Sequence, residues 1–141
     1  MSTPIAAGPI VVGFMPTPEG HAALRHAGHE ALLRKVPLLV VDLSKDNHDS
    51  TPAAIGADLA DLQAELAAAG LAVDIAPPDA LFEPSEHLLK VTQEADATLI
   101  VIGLRHRTRV GKFLLGSSAQ RILLEADCPV LAVKSAADTH N

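Results

Sequence analysis

One short stretch gathers residue types suited to holding an anion. Gly103 ends an apolar, largely β-branched run, Thr98-Leu99-Ile100-Val101-Ile102. Arg105, Arg107, Arg109 and Lys112 follow it, and Gly116-Ser117-Ser118 opens a new helical pattern. Glycines at 103, 111 and 116 let backbone approach a phosphate with no Cβ in the way. Arginine can bind phosphate through two parallel bonds. A helix start adds unpaired N–H groups and about half a positive charge. Ser117 and Ser118 supply hydroxyl donors. The plainer alternative assigns Gly103 to turn chemistry, Ser117 to helix capping and the cations to solvent.

A Walker-type phosphate loop does not fit. Counting back from Gly111-Lys112, the earlier glycine falls on His106, and Phe113 stands where Ser or Thr would hold magnesium. Other candidates carry less chemistry. His21, His26 and His29 share one helix, but at +5 and +3 they are joined by no cysteine and no well-placed acid, so no metal is expected. Cys128 beside Pro129 reads as a small buried apolar residue. Asp42 stands at a strand end, either as a ligand contact or as a turn former. No pair of carboxylates is spaced for acid–base work. The chain is therefore not expected to be an enzyme, beyond slow, incidental ATP hydrolysis.

The elements that must position this stretch alternate regularly. Residues 9–13 form a short continuous apolar strand, as in parallel sheets covered on both faces. Thr17, Pro18 and Glu19 make a capped helix start, and the first helix is predicted over 18–35. Residues 37–42 are the second buried strand, and 44–50 a polar loop. Thr51-Pro52 repeats the cap-and-proline signal. Ile55, Leu59, Leu62 and Leu66 form the stripe of the second helix, and Gly70 is placed to cap its end. Residues 71–76 alternate, as an edge strand would. After Pro84-Ser85 a third helix turns Leu88, Val91 and Ala95 inward. Residues 97–103 are the fourth strand. Ser117 to Gln120 satisfies the capping-box pattern and opens the last helix, whose stripe is Leu115, Ala119, Ile122 and Ala126. Residues 128–133 are the fifth strand. This order predicts an α/β fold with a doubly wound parallel sheet. Ligands bind such sheets past the carboxyl ends of the strands, where strand order reverses.

The bulk properties bound the function. The 141 residues are read as one domain over 1–141, with its core at about 8–134 and a polar tail at 135–141. A composition 48% hydrophobic and 20% charged is globular rather than disordered. The net charge of −6 argues against a nucleic-acid partner. Tyr and Trp are absent, and Phe14, Phe82 and Phe113 are scattered, so no platform exists for stacked bases. The single cysteine excludes an internal disulfide and fits a reducing compartment. The N-terminal segment lacks a basic leader, and no apolar run approaches the roughly 20 residues of a membrane span. A cytoplasmic protein without a membrane partner is expected.

The segments ending Val-Val-Asp, then ADATLIVIGLR, then Gly-Ser-Ser, then CPVLAVK, together resemble the universal stress protein family. The resemblance covers nearly the whole chain and is most specific over residues 103–133. It implies a single-domain five-stranded parallel sheet in the order 3-2-1-4-5, Rossmann-like and of the adenine nucleotide alpha hydrolase type. It also implies cytoplasmic location and a stress-response regulator binding ATP or a related adenine nucleotide. The family's nucleotide motif runs from the fourth strand to the last helix. On it Gly103 matches the first glycine and Gly116-Ser117 the last pair, and Ser118 and Arg105 join them as site residues. Val40 would meet adenine through its backbone. His106 replaces the middle glycine, and Phe14-Met15-Pro16 lacks the acid that the family carries after its first strand. These departures support the alternative, a dimeric stress protein that binds no nucleotide and acts through protein contacts. The resemblance further implies a homodimer built on the last strand, Val130, Leu131, Ala132 and Val133, whose apolar edge otherwise lies open.

Overall fold

A computed structural model describes residues 8–44, 52–104 and 115–134. The elements run β1 (Ile10–Phe14), α1 (Pro18–Arg34), β2 (Leu38–Asp42), α2 (Pro52–Ala68), β3 (Val73–Ala76), α3 (Pro84–Ala95), β4 (Leu99–Gly103), α4 (Ser117–Glu125) and β5 (Val130–Val133). The strands form one parallel sheet in the order β3-β2-β1-β4-β5. Strand order thus reverses between β1 and β4, where Val12 lies beside Val101 and Gly13 beside Ile102.

The continuous apolar runs of the central strands have a structural reason. Alternate residues feed two cores. Ile10, Val12, Phe14, Val40 and Val101 pack under α1 and α2 with Leu24, Ala27, Leu62 and Leu66. Val11, Val41, Ile100 and Ile102 pack under α3 and α4 with Leu88 and Ile122. A strand buried on both faces cannot alternate with polar residues. β3 pairs on one side alone and is half to fully exposed, which matches its alternating sequence.

Local chemistry sets the helix ends. Thr17 caps α1 by accepting from the Gly20 N–H at 3.0 Å, with Pro18 in the first turn. α1 ends at Arg34 rather than 35, because Lys35 takes a left-handed conformation with φ 59°. Gly70, with φ 78°, closes α2 while the Leu71 N–H reaches back to the Leu66 carbonyl, a Schellman pattern. α2 is broken at Gly56, whose φ of 54° and ψ of −128° no helix contains. The periodicity of Leu59, Leu62 and Leu66 gives no sign of that break.

α3 begins at Pro84, as its proline suggests. Glu83 is the N-cap, accepting from the Ser85 N–H and Ser85 hydroxyl, and Glu86 accepts from the Glu83 N–H to complete the capping box. Its buried face is Ser85, His87, Leu88 and Thr92, with Val91 and Ala95 half-buried beside it. At α4 the expected cap is displaced by one position. Gly116, not Ser117, is the N-cap, and no side chain caps the helix. With Ser117 inside the first turn, the capping box with Gln120 cannot form. The Gln120 side-chain amide instead donates to the Leu115 carbonyl at 3.2 Å.

Candidate functional site

At the reversal point the chain leaves β1 toward one face of the sheet and β4 toward the other. A cleft of about 360 Å³ opens between the two exits. Its floor is apolar, made by Leu43, Ile102, Leu104 and Ile122. Its walls are helix starts: Thr17, Glu19 and Gly20 of α1, Pro84 of α3, and Gly116 to Ala119 of α4. Met15 stands at its rim, 40% exposed.

The two glycines at the ends of the connection play different parts. A Cβ on Gly103 would stand 2.5 Å from the Glu19 carbonyl oxygen and 2.6 Å from its carbon. Gly103 is therefore required so that the first turn of α1 can lie against the end of β4. Among the described residues, a Cβ on Gly116 would meet nothing within 4 Å. Neither its φ of −66° nor its packing calls for glycine. Gly116 lines the cleft, so a ligand there can approach its backbone closely.

Gln120 N–H bonds to the Gly116 carbonyl, while the N–H groups of Ser117, Ser118 and Ala119 have no partner among the described residues. Ser117 is exposed and Ser118 half-buried. The Ser118 hydroxyl lies 3.5 Å from Glu83 Oε2. Glu83 is held ionised, its carboxyl below the ordinary value. The Ser85 hydroxyl bond lowers it most; burial works against this, and the Ser85 N–H, the Arg121 charge and the Glu86 N–H assist. Arg121 ties α4 to α3, bonding Glu86 at 3.4 Å and its own-helix Glu125 at 3.3 Å.

The structure brings Gly103, Gly116, Ser117 and Ser118 to this cleft. Val40 lies elsewhere, fully buried in mid-β2 between Val12 and Ile75. At the end of β2, Asp42 and its successor Leu43 line a second cavity. Arg105, His106, Arg107, Arg109, Gly111 and Lys112 lie outside the described residues. Glu19 lines the cleft and Glu83 meets Ser118 beside it, and sequence reasoning named neither as a site residue. Glu19 sits in the first turn of a helix that its proline announces. Glu83 is a less favoured cap type than Ser or Asp.

The remaining chemistry is structural. His21 Nδ1 bonds Asp58 at 2.8 Å, joining α1 to α2, and its ring meets Phe14 edge-on. Burial and the neighbouring Asp127 raise the Cys128 thiol, keeping it protonated. Among the described residues no group of three His, Cys, Asp or Glu could hold a metal ion. Among them, too, no helix is long and apolar enough to cross a membrane.

Comparison with known proteins agrees with this architecture. A universal stress protein of Mycolicibacterium smegmatis is 43% identical over 126 residues, covering 89% of this chain and 96% of the relative. The structure of a universal stress protein from Archaeoglobus fulgidus superposes with a TM-score of 0.68 at 30% identity, over 92% of this chain and all of that one. A structure of the Archaeoglobus fulgidus protein in complex with dAMP gives a TM-score of 0.61 at 27% identity, with the same coverage of 92% and 100%. The family pattern itself spans residues 7–134. With sheet order, switch-point cleft and sequence in agreement, the chain belongs to the universal stress protein family.

Proposed function

We propose that this protein is a cytoplasmic stress-response regulator that binds ATP or a related adenine nucleotide in the cleft between β1 and β4. The phosphate rests on the α4 N-terminus, held by the N–H groups of Ser117, Ser118 and Ala119 and by the serine hydroxyls. The observation that carries this reading is the start of α4, which makes no side-chain cap bond and faces a cleft where, among the described residues, nothing stands within 4 Å of a Cβ on Gly116. The dAMP complex of the Archaeoglobus fulgidus relative supports the ligand class. Arg105 is proposed as a further charge on the phosphate. Among the described residues that line the cleft Glu19 is the one titratable group, which supports a bound signal rather than a substrate for rapid turnover.

Thermal melting tests this. Ligand at 100 times its dissociation constant stabilises the folded state by about 2.7 kcal/mol. A rise of several degrees with millimolar ATP, ADP or AMP supports the reading, and unchanged melting with all of them defeats it.

A second reading, favoured by Met15, is a dimer that binds no nucleotide. An apolar side chain at the rim offers no acceptor to a sugar hydroxyl. Both readings share a homodimer across β5. The carbonyls of Pro129 and Val133 accept from Ile100 and Leu104, so the alternating backbone groups of Val130 and Ala132 face away from β4. That outer edge, Val130 to Val133, ends the sheet and is proposed to pair with a second copy.

A further inference from the structure

Glu83 brings a negative charge to the edge of the cleft, beside the helix start proposed for phosphate. Its two oxygens divide their work. Oε1 accepts from the Ser85 N–H at 3.2 Å and from the Ser85 hydroxyl, which caps α3. Oε2 turns toward α4 and accepts from the Ser118 hydroxyl at 3.5 Å. Ser118 lines the cleft, and so does Pro84, the next residue after Glu83. The carboxylate is thus held in place by its helix-cap bonds.

This charge is thinly neutralised. Among the described residues Arg121 is the cation that reaches Glu83, at 3.9 Å. The same guanidinium lies 3.4 Å from Glu86 and 3.3 Å from Glu125, so three carboxylates share one positive charge. Glu19 adds another acid to the lining of the cleft. The Ser85 hydroxyl bond, above all, keeps the Glu83 carboxyl below its ordinary value, so the charge is present at neutral pH.

A phosphate oxygen that accepts from Ser118 stands about 2.8 Å from that hydroxyl. Glu83 is 3.5 Å from the same hydroxyl, so phosphate and carboxylate come within roughly 6 Å of one another. At that separation two like unit charges in water oppose binding by about threefold, and a dianion meets this opposition twice. The hydroxyl has one proton, so phosphate must also draw it away from Glu83.

We propose that Glu83 determines the charge selectivity of the cleft, by weakening phosphate dianions at the start of α4. This rests on the nucleotide reading above. Free phosphate has only its charge to offer the helix start and is kept out. A nucleotide also has base and sugar surface to bury on the apolar floor of Leu43, Ile102, Leu104 and Ile122, and so overcomes the opposition.

Calorimetric titration at low ionic strength, where such charges are least screened, tests this. The ligands are AMP, whose phosphate carries two charges well above its second pKa of about 6, and the methyl ester of that phosphate, which carries one. Two variants remove the Glu83 charge. Glu83→Gln keeps the shape of the side chain, and Glu83→Ser keeps a favoured N-cap oxygen for α3. Both are expected to bind AMP at least fivefold more tightly than the wild type. The ratio of AMP to ester affinity is expected to rise about threefold in both. A merely structural role moves AMP and ester alike. An unchanged ratio, with AMP still bound by the wild type, therefore overturns the proposal and leaves the nucleotide reading standing. A rise in Glu83→Gln that Glu83→Ser does not share assigns the effect to the cap and overturns it too. Binding of AMP by none of the three proteins at several millimolar defeats both readings.

Discussion

The carbonyl oxygen of Glu19 lies 2.5 Å from the point a Cβ on Gly103 would occupy, closer than any side chain can be placed. The first turn of α1 and the last residue of β4 are therefore locked together across the cleft. Gly103→Ala must push them apart, and overpacking of this kind costs about 1–3 kcal/mol. A matching fall in the urea midpoint is expected. A variant as stable as the wild type would show that the contact is not needed by the fold.

Gly116 should behave in the opposite way. It already has the extended backbone of an N-cap, with φ −66° and ψ 165°, but no side chain to use it. Gly116→Ser supplies an oxygen to the open N–H groups of α4 and is expected to raise stability by a few tenths of a kcal/mol. The same hydroxyl occupies donors proposed for phosphate, so AMP affinity should fall at least tenfold. Stability and binding moving together would refute the placement of phosphate at this helix start.

Much of the fold could be read from residue types. Ile10 to Val12, Leu38 to Val41 and Leu99 to Ile102 are continuous because both their faces are covered, and Pro18, Pro52 and Pro84 open helices because a first turn needs no N–H there. The site was legible only in its frame. Gly103 and Gly116 look alike in sequence, and the contact that separates them spans the distance from Glu19 to residue 103, which no local pattern carries. Ser117 resembled a cap because serine usually is one, yet the backbone turns one residue earlier. Asp42 was visible as a strand-end acid, but no local pattern shows that the later 78–84 segment lines one cavity with it.

Glu83 links stability to pH. Its carboxyl titrates below the ordinary 4.5, chiefly through the Ser85 hydroxyl bond. A depressed folded value means that the stabilisation is present above about pH 4.5 and is lost as pH falls through the folded value. At pH 7, Glu83→Gln should cost about 0.5–1 kcal/mol as a weakened helix cap. Urea midpoints measured from pH 7 down to pH 3 should bring wild type and variant together at the acid end. A gap that stays constant over that range would mean that the charge of Glu83 contributes nothing.

The last strand offers a substitution that separates assembly from folding. The Ile100 and Leu104 N–H groups reach the carbonyls of Pro129 and Val133, which assigns the N–H of Ala132 to the free edge of the sheet. Ala132 is exposed, whereas Val133 is buried in the core. Proline is tolerated on an edge strand where its missing N–H faces outward. Ala132→Pro should therefore keep the β4 pairing and the parallel sheet, and remove the donor that a second copy would meet. Sedimentation at micromolar concentration is expected to show a dimer for the wild type and a monomer for the variant, with the circular dichroism of both alike. A wild-type monomer would remove the β5 pairing altogether. A variant that still dimerises would place the interface on another surface, of which the exposed Leu124 on α4 is the nearest apolar candidate in sequence.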